Sequence, residues 1–172
     1  MAAIHEAAYL RVKSSYSEEE PTLTYTPTEK EVTWTAQRAR DESTKLALLT
    51  LLKVFQHLGY FVLWQHIPEE ISAYIARCVG QLFVSEVMEG YDQAGTRFRH
   101  MKLIRKYLGV QPVGEVTYQT MRQAALQAAQ TKEHLADIIN AMLEELIKER
   151  LELPAFSKFV REARRARGKV SQ

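Results

Sequence analysis

Apolar residues recur along most of this chain at spacings of three and four, the period of helices that bury one face. Leu46, Leu49, Leu52, Val54, Phe55, Leu58 and Phe61 cover most of a helical circumference, which predicts a core helix over 43–64. Lys53, Gln56 and His57 interrupt that stretch, so a membrane span is not expected there. Gly59 either ends this helix early or lets another helix approach closely. Upstream, Thr26, Pro27 and Glu29 have the spacing of a capping box and predict a helix over 27–40. Pro68 opens a helix over 69–79, with Ile71, Tyr74, Ile75 and Cys78 on one side and Gly80 at its end.

The pattern continues to the end of the chain. Residues 82–88 fit a short helix or an extended segment, and 90–96 are rich in turn formers. A helix is expected over 97–108, closed by Gly109, and an alanine-rich one over 115–130. Thr131 suits the cap of a helix running to Arg150, with Leu135, Ile138, Ile139, Met142 and Leu146 as its stripe. Leu153 and Pro154 break the chain before a last helix over 155–167. A short amphipathic helix over 1–11 and a loop over 12–24 complete the reading. The expected fold is all-α: a compact unit of about seven helices. Its parts are a variable segment 1–24, a helical domain 25–167 and a basic tail 168–172. Helices 69–79 and 97–108 are considered as helix-turn-helix-like elements, although their connection is long for that motif.

Two helices separate charge from apolar surface when residues are placed at 100° per step. In the first, Met101, Ile104, Tyr107 and Leu108 lie together, with Arg99, Lys102, Arg105 and Lys106 roughly opposite. His100 falls on the apolar side, where a satisfied core histidine is the simpler reading. In the last helix, Phe156, Phe159, Val160 and Ala163 form one face and Lys158, Arg161, Arg164 and Arg165 the other. A cationic helix face of this kind suits phosphates, an anionic membrane surface or plain solvation. The apolar face of the last helix is short and lacks tryptophan, which weighs against the membrane.

Composition sharpens this picture. In 172 residues there are seven glycines and five prolines, too few breakers for a sheet of many short strands. One cysteine, Cys78, excludes an internal disulfide and fits a reducing, cytoplasmic setting. The net charge of +2 hides an asymmetry. The first 42 residues are acidic overall, whereas Lys158, Arg161, Arg164, Arg165, Arg167 and Lys169 face Glu162 alone near the end. That balance points to an anionic partner, with nucleic acid ahead of membrane. Met1 to Arg11 lacks a basic lead followed by a long apolar run, so no targeting segment is expected.

Signals of catalysis are scarce. No two of His5, His57, His66, His100 and His134 are four apart, and a single cysteine gives zinc no framework. There is no glycine-rich phosphate loop followed by lysine and no nucleophile elbow. No catalytic residue, metal or cofactor is therefore expected.

Several ordered pieces carry a resemblance. They are Tyr25-Thr-Pro-Thr28 with Glu31, then Leu51-Leu-Lys-Val-Phe-Gln-His-Leu-Gly-Tyr-Phe61, then Ile67-Pro-Glu-Glu-Ile71. Tyr91-Asp92, Thr96-Arg97, His100, Ile104, Leu108-Gly109 and Glu149-Arg-Leu-Glu-Leu-Pro-Ala-Phe156 follow. This succession, over roughly 23–167, resembles the N-terminal region of the replicative transposases of the Tn-three family of bacterial transposons. The resemblance implies a helical region that recognises the terminal inverted repeats of the element. It also implies that catalysis belongs to three metal-binding carboxylates of a downstream integrase-like domain. Asp41, Asp92 and Asp137 match none of those positions.

The function expected is thus sequence-specific duplex DNA binding, by a non-catalytic N-terminal module or remnant of a bacterial transposase. The partners expected are inverted-repeat DNA and other transposase subunits, with no membrane. Arg97 and His100 enter the candidate DNA-binding set through the resemblance. Arg99, Lys102, Arg105, Lys106, Lys158, Arg161, Arg164 and Arg165 enter through the helix faces. The alternative is a protein-interaction or assembly module with only generic DNA affinity.

Overall fold

Thr28 and Glu31 exchange two hydrogen bonds at the start of the first helix. The Thr28 hydroxyl accepts from the Glu31 amide at 3.1 Å, and the Glu31 carboxylate accepts from the Thr28 amide at 2.8 Å. This is a capping box two residues later than the one expected at Thr26. Both registers satisfy the same sequence rule. The observed one is favoured because Glu31 also meets Lys53 and Gln56 of the next helix.

The structure is a computed structural model that describes residues 24–83 and 85–171. The helix expected over 1–11 lies outside the described residues. Among those described there are seven α-helices and no strand: α1 Glu29–Ala36, α2 Glu42–Leu58, α3 Glu69–Cys78, α4 Gly95–Leu108, α5 Glu115–Ala129, α6 Leu135–Lys148 and α7 Phe156–Val170. The fold is all-α. Chain contacts divide into two compact units with their boundary in sequence inside α4, the first ending at Ile104 and the second starting at Arg105.

The first unit is built around α2. Asp41 caps it, accepting from the Thr44 amide at 2.9 Å. Ten consecutive positions, Leu46 to Phe55, and then Leu58 are buried, as an apolar circumference requires. The helix stops at Leu58, six residues short of expectation. Gly59 takes φ 82° there, a left-handed conformation that side chains disfavour, and donates to the Phe55 carbonyl. Helices α1 and α3 pack on α2. The polypeptide between α3 and α4 contains two short 3-10 turns, Ser85–Met88 and Tyr91–Gln93. A connection of that length is not the three- or four-residue turn of a helix-turn-helix.

The second unit is a packed set of α5, α6 and α7, each touching the other two. Met121 and Ala125 from α5, Ile138, Met142 and Leu146 from α6, and Phe159 and Ala163 from α7 form its core. Thr131 does not cap α6. The amides of Thr131 and Lys132 turn back to the Ala128 carbonyl and finish α5, so α6 begins only at Leu135. The segment before α7 pairs with the one after α4: Gln111 donates to Arg150 and accepts from Glu152. Among the described residues, no helix is long and apolar enough to cross a membrane.

Candidate nucleic-acid interface

The sequence-predicted residues of α4 divide by environment. Arg99 and Lys102 of the first unit are exposed, and so is Lys106 of the second. Three others are engaged inside their own unit. Arg97 pairs with Asp92 at 3.6 Å and donates to the Val62 carbonyl at 3.3 Å. Asp92 in turn accepts from the amides of Trp64 and Gln65, fixing the 3-10 turn Trp64–His66. His100 is 1% exposed, and its Nδ1 shares a 2.7 Å hydrogen bond with the Tyr91 hydroxyl. Burial, helped by the Arg99 charge, lowers the histidine pKa to about 4, so the ring is neutral at neutral pH. Burial likewise raises the Tyr91 phenol. Arg105, expected on the outward cationic face, is instead largely covered and holds Glu152 at 2.7 Å. Its guanidinium satisfies a carboxylate that the packing of the second unit has buried.

Helix α7 presents the larger cationic surface. Its apolar positions Phe159, Val160, Ala163 and Ala166 are buried against the second unit. Arg161, Arg164, Arg165, Arg167 and Lys169 are exposed, and Lys158 is half-buried. The helix carries six cations and one acid. That acid, Glu162, is buried beneath the cationic face. Its side chain is 1% exposed, and it lies 3.6 Å from Arg122 of α5 and 3.7 Å from Arg165 through Oε1, with Arg161 at 4.0 Å from Oε2.

Arg122 is absent from the sequence-derived set. It is the one cation of α5, in an otherwise alanine- and glutamine-rich helix, and nothing in the linear pattern ties it to α7. The available signal is weak: Glu162, the one acid of α7, lies next to that helix's core arc, and a carboxylate buried there needs a cation from a neighbouring element. Elsewhere in the second unit, a cleft of about 660 Å³ is lined by Gln111, Gln123, Gln127, Glu145 and Arg150. No group of three or more metal-ligating side chains occurs among the described residues.

Comparison with known families gives one finding. A family model described as a domain of unknown function, DUF4158, matches residues 1–166. No curated protein matches the chain.

Proposed function

The chain belongs to the DUF4158 family, and from that premise we propose that it binds duplex DNA at the terminal inverted repeats of a transposon, as a non-catalytic module of a transposase. The observation that carries this reading is the exposed face of α7, with five exposed cations on a helix whose only acid is buried. An outward field of one sign held on a packed scaffold is what phosphate contacts need. Arg99, Lys102 and Lys106 supply further exposed cations. Arg97, His100 and Arg105 support the scaffold in this reading rather than touching DNA.

The test is fluorescence anisotropy with a duplex carrying the inverted repeat and a scrambled duplex, at several salt concentrations. The expected result is roughly hundredfold tighter binding to the repeat. Neutralising about six phosphates gives a log-log salt slope of about −5. Equal, weak binding to both duplexes would sink the reading of end recognition.

A second reading has its own observation. Phe98 and Ile147, one in each unit, are 68% and 62% exposed, and each is a large apolar side chain that a partner protein could cover. This makes the chain an assembly module with generic DNA affinity. Light scattering after size exclusion separates the two: a mass above that of one chain, together with sequence-independent DNA binding, favours assembly.

A further inference from the structure

We infer that Arg122, Arg161 and Arg165, arranged around the buried carboxylate of Glu162, form a composite site for two neighbouring phosphates of a nucleic-acid backbone. The inference rests on the reading of the chain as a DNA binder and assigns to that activity a site spanning two helices.

Three guanidiniums converge on one carboxylate, at 3.6, 3.7 and 4.0 Å. These are ion pairs, yet none is within hydrogen-bonding distance, and Glu162 Oε2 is buried with no hydrogen-bond partner. The acid therefore gathers the arginines without occupying their N–H donors. A guanidinium has five such donors in a planar fork that matches phosphate oxygens. The three side chains are 49%, 54% and 52% exposed, so each keeps about half of its surface in water, where a ligand can reach it.

The charge follows from the geometry. Three cations around one anion leave +2, enough to neutralise two phosphates. A structural salt bridge needs one arginine, because one cation already compensates a buried carboxylate. The second and third arginines are surplus to folding and repel each other in the absence of an anion. An incoming phosphate relieves that repulsion, and Glu162 keeps the forks splayed toward it. The site also couples α5 to α7, so the phosphates would be gripped by two helices that the core already holds in register.

Removing one arginine leaves Glu162 with two cations, so the variants R122Q and R165Q retain a compensated acid and should fold. The measurement is duplex affinity by anisotropy at several salt concentrations, with circular dichroism to verify folding. The expected result is a salt slope reduced by about 0.9 in each single variant and about 1.8 in the R122Q/R165Q variant. R122K keeps the charge and should restore the slope. K132Q removes an exposed charge in the turn between α5 and α6 and should leave it unchanged. A folded double variant with the slope of the original chain would overturn the site while leaving DNA binding standing. Equal affinity for repeat and scrambled duplexes, with the slope still falling in the variants, would overturn end recognition and keep the site. A chain that binds no duplex at low salt overturns both. Inorganic phosphate that displaces DNA at fixed ionic strength, in amounts comparable with the DNA phosphate, would overturn the assignment to a polymer backbone.

Discussion

The hydroxyl of Tyr91 and Nδ1 of His100 lie 2.7 Å apart, in surroundings that bury both rings. Trp64 meets the same tyrosine edge-on, with centroids 5.8 Å apart. Tyr91 and His100 are nine residues apart, on either side of the start of α4, so their bond ties the 3-10 turn to the helix that follows. Arg97 and Asp92 tie the same two elements by charge.

This pair makes stability depend on pH. The folded histidine has a pKa of about 4, whereas an unfolded-chain histidine titrates near about 6.5. Protons therefore favour the unfolded chain between those values. The contribution is fully present above about pH 6.5 and falls toward pH 4, by about 3 kcal/mol at the lower end. Urea midpoints measured across that range should decline, and the H100Q variant should decline less. A flat profile in the original chain would refute the assignment. Y91F leaves Nδ1 without its partner and should cost about 1–3 kcal/mol at pH 7.

The buried pair of Glu31 and Lys53, at 3.0 Å, joins α1 to α2. Burial alone would raise the Glu31 pKa, but hydrogen bonds from the Thr28 amide, Gln56 and Lys53 outweigh it and hold the carboxyl below its usual value. Its stabilisation is present above the unfolded-chain pKa and is lost as pH falls through the folded one. K53M leaves the carboxylate without its cation and should cost about 3–5 kcal/mol. The E31Q/K53M variant should recover part of that loss. Denaturant titration of E31Q, K53M and the double variant tests the coupling, and additive losses would contradict it.

Gly109 ends α4 with φ 67°, and a Cβ added there would meet no atom within 4 Å. The Val110 amide reaches back to the Arg105 carbonyl, closing the turn. Gly109→Ala should therefore cost only the left-handed backbone penalty, about 1–2 kcal/mol. Thermal unfolding measures it. A loss much larger than this would point to a clash that the geometry does not contain.

Lys102 and Lys106 are exposed on α4. Charge reversal of both should weaken duplex binding at low salt and reduce the salt slope by about 1.8. Unchanged affinity would remove this helix from the interface and leave α7 to carry it.

Much of the architecture was legible from period and punctuation. The stripe Leu135, Ile138, Ile139, Met142 and Leu146 predicts α6, and four of these five are buried. Gly80 and Gly109 take the positive φ expected of glycines that close helices. Boundaries were less legible, because Thr26 and Thr28 satisfy one capping rule and only the position of Lys53 distinguishes them. Thr131 misled for a related reason: a threonine before an apolar run reads as a cap whether or not its amide is already committed to the preceding helix.

The candidate surface divides in the same way. Helical spacing by itself determined that α7 is amphipathic and cationic on one side, because 100° per residue is a local property of the chain. It also placed His100 on the apolar side of α4. What the tertiary structure decided is which charges are spent. Arg105 finds Glu152 across 47 residues of sequence, Arg97 finds the Val62 carbonyl across 35, and Arg122 meets Glu162 from another helix. Ion pairs act through space, and their worth depends on burial and distance. Both quantities exist only once the helices are packed.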